Sequence, residues 1–239
     1  MAGVTAPTTA TPIVALDFDG VETALRMVQE IKDLCGFFKV GSELFTAAGP
    51  SVVAALRAAG CEVFLDLKFH DIPNTVARAA AQAAAAGARL LTVHATGGAP
   101  MIAAAVQAAG GGCGVLAVTV LTSLDRETLG DAWGRSDVDV ETEVVRLAGL
   151  ARRAGALGVV CSGREAPAVR AAHGDALRLL IPGIRLAGGS AHDQARVATP
   201  GAAARAGASY LVLGRAVTGA TDPRAAMRQV LAELADPGR

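Results

Sequence analysis

The chain lacks the features that would tie it to a nucleic acid, a membrane or an oxidising compartment. Its 22 Lys and Arg residues match its 22 Asp and Glu residues, giving a formal net charge of +0. No basic surplus points to nucleic acid, and no basic amphipathic stretch points to a membrane surface. Cysteine is sparse: Cys35, Cys61, Cys113 and Cys161 are scattered, with no pair at zinc or redox spacing. Such thiols beside apolar runs act as small hydrophobes, and a cytoplasmic setting fits them. No apolar run is long enough to span a bilayer without charges or glycines. Residues 1–11 hold no basic segment followed by an apolar run, so they read as a flexible tail rather than a secretory signal. No Gly-x-Gly-x-x-Gly turn follows the first apolar run, and no linker divides the 239 residues. With 52% hydrophobic residues the chain can bury a sizeable core, and a small molecule is the expected partner.

What is present is a recurrent phrase: an alanine-rich helix, then Ala-Gly, then an apolar strand. It occurs at Ala59-Gly60, Ala86-Gly87, Ala154-Gly155 and Ala206-Gly207. Glycine just past a helix end takes the left-handed conformation that other residues resist, so each phrase marks a helix-to-strand joint. With the other apolar runs this predicts eight strands, over 13–16, 37–40, 62–68, 89–94, 114–121, 158–161, 177–181 and 210–213. Helices are clearest over 76–86, 141–154, 200–206 and 223–235. Strict alternation implies a parallel sheet, because parallel neighbours need crossovers. Eight such units in this length predict a single (β/α)8 TIM barrel, an α/β domain over 12–239.

Strand after strand then ends in a polar residue: Asp17, Lys39, Asp66 with Lys68, His94, Thr122, Ser162, Arg185 and Arg215. In a barrel of this kind the C-terminal strand ends form the active-site face, so these residues describe the rim of a pocket. The densest run is Asp66-Leu67-Lys68-Phe69-His70-Asp71-Ile72-Pro73-Asn74-Thr75. Alternation along the strand puts Asp66 and Lys68 on one face and Leu65 and Leu67 on the other. A structural ion pair with a helix-start carboxylate would account for Asp66, Lys68 and Asp71 taken alone. Lys39 brings a second ammonium to the same rim, which favours a site of two lysines and two aspartates. Nearby carboxylates keep a lysine protonated, and such a lysine can act as a general acid toward a strongly basic carbon.

Pro182-Gly183-Ile184-Arg185 and Gly214-Arg215 end strands seven and eight, where barrels commonly bind phosphate. Glycine lets backbone N–H groups approach an anion, and arginine can fork onto two phosphate oxygens; tight turns with surface arginines are the plainer alternative. Residues 186–194 are polar and glycine-rich, as expected of a lid, or of a passive surface loop. His94 is expected to be a structural histidine, His70 and His192 are given no catalytic role, and Trp133 is expected to pin the long connection after strand five.

The ten-residue run resembles the signature of the orotidine 5′-phosphate decarboxylase family. Matching segments follow in order: Ala15-Leu16-Asp17, Phe38-Lys39-Val40-Gly41, Val93-His94-Ala95-Thr96-Gly97-Gly98, Val118-Thr119-Val120-Leu121-Thr122-Ser123, Pro182-Gly183-Ile184-Arg185 and Leu213-Gly214-Arg215. The resemblance implies a catalytic tetrad of Lys39, Asp66, Lys68 and Asp71 that turns orotidine 5′-monophosphate into UMP and CO2. Lys68 would protonate C6 of the pyrimidine, Asp66 would crowd the departing carboxylate, and Lys39 would hold Asp66 and contact the ribose. It implies that Asp71, with Ile72 and Thr75, reaches into the neighbouring subunit's site of a homodimer. It also implies that Asp17 hydrogen-bonds a ribose hydroxyl (capping the next helix is the alternative role), and that Thr122 and Ser123 contact the pyrimidine rather than merely their own loop. Gly183, Arg185, Gln194, Gly214 and Arg215 would hold the phosphate. No metal or organic cofactor is implied. Magnesium-dependent relatives of similar barrel design would carry a glutamate where this chain has Lys39. One departure stands out: Ala216 follows Gly214-Arg215, where the family usually has proline.

Overall fold

A computed structural model of the protein describes residues 10–186 and 198–236. Gly60, Gly87, Gly155 and Gly207 take φ of 80°, 92°, 81° and 92°, as the helix-to-strand joints require. The strands are β1 (Thr11–Ala15), β2 (Phe37–Gly41), β3 (Glu62–Phe69), β4 (Leu90–His94), β5 (Gly114–Val118), β6 (Gly158–Val160), β7 (Arg178–Ile181) and β8 (Tyr210–Leu213). All pair in parallel in sequence order, and β8 returns to β1 to close the barrel. Closure begins at Thr11, which pairs with Tyr210, so the first strand takes in a residue assigned from sequence to the tail.

The helices that cross over are α1 (Val21–Ile31), α2 (Ser42–Ala48), α3 (Ser51–Ala58), α4 (Pro73–Ala85), α5 (Gly98–Ala109), α6 (Arg126–Trp133), α7 (Val140–Arg153), α8 (Ala166–His173), α9 (Pro200–Arg205), α10 (Arg215–Thr218) and α11 (Pro223–Ala235). Their starts follow from local chemistry. Pro73, Pro200 and Pro223 sit in first turns, where a missing N–H costs nothing. The Asp139 carboxylate accepts the Thr142 N–H at 2.8 Å, a cap worth about 1 kcal/mol. Along α7, Val144, Leu147, Ala148 and Ala151 form the buried stripe, and burying a leucine such as Leu147 contributes about 2 kcal/mol.

Two apolar layers result. Residues pointing outward from the strands, such as Val63 and Leu65 on β3, pack under the helices. Those pointing inward, including Ile13, Phe37, Phe64, Leu90, Leu116, Leu180 and Val212, fill the barrel itself. The interior is therefore a plug, and any cavity has to lie above it at the C-terminal strand ends. All four cysteines are buried free thiols. Burial pushes the Cys113 thiol up to about 11 and the Cys161 thiol up to about 12, so both are protonated near neutral pH.

Most strand ends fall within a residue or two of expectation, but β5 and β3 depart from it in ways that shape the site. β5 stops at Val118 rather than 121, because β6 is only three residues long and offers no ladder partner further on. On β3 the register slips: Leu65 faces Leu91 and Phe69 faces Val93, so β3 inserts two more residues than β4 over that stretch. Within this bulge Lys68 takes φ 51°, the left-handed region that a side chain ordinarily disfavours.

Candidate active site

Asp17, Lys39 and Asp66 continue the inward faces of β1, β2 and β3 one step above the apolar plug, and Lys68 joins them through the bulge. The Lys39 ammonium lies 2.7 Å from Asp17 Oδ1 and 3.9 Å from Asp66 Oδ2. The Lys68 ammonium lies 2.9 Å from the same Asp66 oxygen. The result is a line of alternating charge, Asp17, Lys39, Asp66, Lys68, with no net charge of its own. Its middle is dry: the Lys39 and Asp66 side chains are 10% and 14% exposed, whereas Lys68 is 36% exposed and reaches the open space. Asp66 keeps its second oxygen on the Thr92 hydroxyl at 2.9 Å, and that hydroxyl also accepts the Lys68 backbone N–H at 2.9 Å.

These groups wall a cavity of ≈ 420 Å³, a volume suited to a small ligand. Its floor is apolar, formed by Ala15, Phe64, Val118, Val160, Leu180 and Val212. A low-dielectric floor under a row of ions strengthens their action on anything bound between them. From beyond the ends of β7 and β8, the latter next to β1, Gly183, Arg185, Gly214 and Arg215 face the same space, and Thr122 lines it from beyond β5. Gly183 has φ 77°, which a turn directly after Pro182 requires of a residue without Cβ. Arg185 is fixed by its N–H to the Ala198 carbonyl at 2.9 Å. Ala216 is the second residue of α10, a first-turn position where alanine and proline are both accommodated.

The cavity thus gathers Asp17, Lys39, Asp66, Lys68, Thr122, Gly183, Arg185, Gly214 and Arg215. It does not gather Asp71, Ile72, Thr75 or Ser123, which lie exposed on the surface. The Asp71 carboxylate turns back to accept the Ile72 N–H at 2.6 Å, and Ile72 is 65% exposed, unusual for a large apolar side chain here. Gln194 lies outside the described residues, as does nearly all of the predicted lid. Asp17 is not a helix cap: Gly20 is the N-cap of α1 and no side chain caps it, and Asp17 pairs with Lys39 instead. The His94 ring is half-buried against His70, with ring centres 5.4 Å apart. Burial, then the neighbouring His70 and Lys68, holds its pKa below the ordinary imidazole value. Trp133 packs at the end of α6 against the outer core. Among the described residues no group of three or more His, Cys, Asp or Glu is arranged to hold a metal ion, and no helix is long and apolar enough to cross a membrane.

Two features escape a reading of strand ends alone. Thr92 is a lone hydroxyl inside the apolar run Leu90-Leu91-Thr92-Val93, a signal that was legible but points inward rather than to the rim. Gly41 matters for what it lacks. A Cβ there would stand 2.7 Å from Lys39 Nζ and 2.9 Å from Asp17 Oδ1. Both are side-chain ends that can move, so Gly41→Ala is expected to fold and to push the Lys39–Asp17 pair aside. Because a misplacement near 1 Å can cost about 100-fold in rate, turnover should fall by roughly 10- to 100-fold with little change in melting temperature. Steady-state kinetics beside a thermal melt checks this, and unchanged turnover would show that the pair's position is immaterial.

Known proteins resemble this chain over most of its length. Residues 11–230 match the model of the "Orotidine 5'-phosphate decarboxylase / HUMPS family". The chain is 55% identical over 220 residues to the orotidine 5′-phosphate decarboxylase of Anaeromyxobacter sp. (strain K), spanning 92% of this chain and 96% of that one. It is 47% identical over 227 residues to the enzyme of that name from Pseudomonas syringae pv. tomato, spanning 93% and 97% respectively. Among solved structures, the orotidine 5′-phosphate decarboxylase of Lactobacillus acidophilus superposes with a TM-score of 0.84 at 37% identity, covering 94% of this chain and 99% of that one. The protein therefore belongs to the orotidine 5′-phosphate decarboxylase / HUMPS family.

Proposed function

We propose that this chain decarboxylates orotidine 5′-monophosphate to UMP and CO2, the last step of de novo pyrimidine nucleotide synthesis, with Lys68 as proton donor. The observation that carries the proposal is the Asp17–Lys39–Asp66–Lys68 line along one wall of a nucleotide-sized cavity that Arg185 and Arg215 also line, from beyond the ends of β7 and β8. The phosphate would lie among Gly183, Arg185, Gly214 and Arg215, with Gln194 closing over it, and the ribose between Asp17 and Lys39. Thr122 and Ser123 would meet the pyrimidine edge.

The step then balances with the chain's own groups. The bond from C6 to the carboxylate breaks, its electron pair stays on C6, and CO2 leaves uncharged. A Lys68 N–H proton passes to C6, and the amine regains a proton from solvent. Lys39 and Lys68 supply fixed positive charge where the carbanion develops, without the reorganisation that water would need. A substrate carboxylate about 4 Å from Asp66 would be repelled by roughly 4 kcal/mol at an effective dielectric near 20, and that repulsion vanishes as neutral CO2 forms. Binding energy from the phosphate end can offset it.

The chain needs no cofactor in this scheme. Magnesium-dependent relatives would place a carboxylate ligand where Lys39 puts an ammonium, and a cation there would be repelled. Asp71, Ile72 and Thr75 would serve a second copy of the chain: an exposed isoleucine beside an unpaired-to-cavity carboxylate fits a homodimer that shares sites. Residues 12–239 would act as one catalytic domain; the closure of β8 onto β1 supports a single domain and draws Thr11 into it as well. Four buried thiols suit the cytoplasm.

Loss of the orotate ring's absorbance, followed with a chelator present, tests the proposal. Turnover indifferent to chelator is expected. Activity lost with chelator would favour a magnesium-dependent reaction, and binding without turnover would favour a non-catalytic phosphate-ligand barrel.

A further inference from the structure

The bulge in β3 leaves the Lys68 N–H without its regular place in the β3–β4 ladder, since pairing resumes only at Phe69 and Val93. That N–H donates instead to Thr92 Oγ1 at 2.9 Å. Having accepted it, the hydroxyl turns its own hydrogen onto Asp66 Oδ1, also at 2.9 Å. The other Asp66 oxygen holds the Lys68 ammonium at 2.9 Å. The three contacts close a ring through one residue's backbone, one hydroxyl, one carboxylate and the same residue's side chain. Thr92 is fully buried, on a strand that keeps its regular pairing to β5 on the other side. Its branched side chain has few rotamers, so the oxygen is held by a rigid support.

From this ring we infer that Thr92 is a positioning residue: its hydroxyl holds Lys68 in the left-handed backbone turn and sets the plane of the Asp66 carboxylate, and thereby aims the ammonium into the cavity. It touches no substrate. A strained φ of 51° persists only where its surroundings over-determine it, and Thr92 is the group that does so here. Substituting an apolar isostere would orphan two partners at once, the Lys68 N–H and an Asp66 oxygen, and the bulge could then relax.

The inference rests on Lys68 as proton donor, and Thr92→Val with Thr92→Ser tests it in the full chain. In Thr92→Val, kcat is expected to fall about 10- to 100-fold, the cost of a reacting group displaced by roughly 1 Å, while KM stays within about twofold. Thr92→Ser, which keeps the oxygen, should restore most of kcat. Thr92→Ala should show the same kcat loss and serves if the valine variant does not fold. Backbone amide exchange at Lys68 is the second readout, expected to be slow in wild type and Thr92→Ser and fast in Thr92→Val. Equal kcat in wild type and Thr92→Val, or equal losses in the valine and serine variants, would overturn the inference. Should the wild type not decarboxylate orotidine 5′-monophosphate, the functional proposal fails. Amide exchange still decides Thr92's part: equal exchange with and without its hydroxyl removes it, and faster exchange in Thr92→Val upholds it.

Discussion

Lys68→Ala should reduce kcat by about four orders of magnitude or more while leaving a folded protein. Proton delivery by a positioned group is worth roughly 10²- to 10⁴-fold, and loss of a fixed charge beside the developing carbanion adds about 10²-fold or more. The fold should survive because Asp66 is not stranded. It keeps the Thr92 hydroxyl at 2.9 Å and has Lys39 at 3.9 Å. Lys68 is also the partly exposed end of the charged line, so its ion pair is worth only about 1 kcal/mol of stability. KM should change far less than kcat, because the phosphate rim is untouched. Rapid turnover by this variant would remove Lys68 as the acid, whereas a failure to melt cooperatively would show that the ion pair is structural.

Inactive chains should rescue one another. A Lys68→Ala chain retains Asp71, and an Asp71→Ala chain retains Lys68. If each site takes Asp71 from its neighbour, a mixed dimer has one site with both residues intact and one with neither. Random mixing makes half the dimers mixed, so activity should return to about a quarter of wild type. Each variant alone should be nearly inactive. The basis is local: the Asp71 carboxylate is held by the Ile72 N–H at 2.6 Å, away from its own cavity, beside an apolar side chain left 65% exposed. Activity no greater than the sum of the parents would mean that Asp71 works in its own chain or not at all.

Most of the barrel was legible because its joints are made of the few residues that bear positive φ. The glycines after alanine-rich helices marked strand starts closely: β3 and β8 begin at Glu62 and Tyr210, as the apolar runs suggest. Strand ends were less legible. Val120 and Leu121 look like a continuation of β5, yet they line the cavity, because ladder length is decided by the neighbouring strand and not by the run itself. The division of the connection after β5 into α6 and α7 depends on Asp125, whose carboxylate accepts the Thr128 N–H at 2.9 Å. An aspartate before a short polar helix is easily passed over as loop.

The candidate site was legible where charge sits at a strand end, and not where its geometry depends on a partner strand. Asp66 and Lys68 meet, as their spacing suggests, but through a bulge rather than through simple alternation. That bulge is a relation between β3 and β4, so β3 alone could not reveal it. Asp17 reads as a ligand for ribose, and its contact with Lys39 at 2.7 Å emerges only when β1 and β2 are placed side by side. The glycine at position 41 has no evident reason in the sequence, and gains one only where the lysine and aspartate tips lie over it.

The most direct measurement is a crystal structure of the protein with UMP bound. Pyrimidine C6 is expected within about 3.5 Å of Lys68 Nζ, a near-attack distance, with the phosphate against Arg185 and Arg215. A ring turned so that C6 faces away from both lysines, or a phosphate seated on the Lys39–Lys68 side, would contradict the assignment of that charged line to the departing carboxylate.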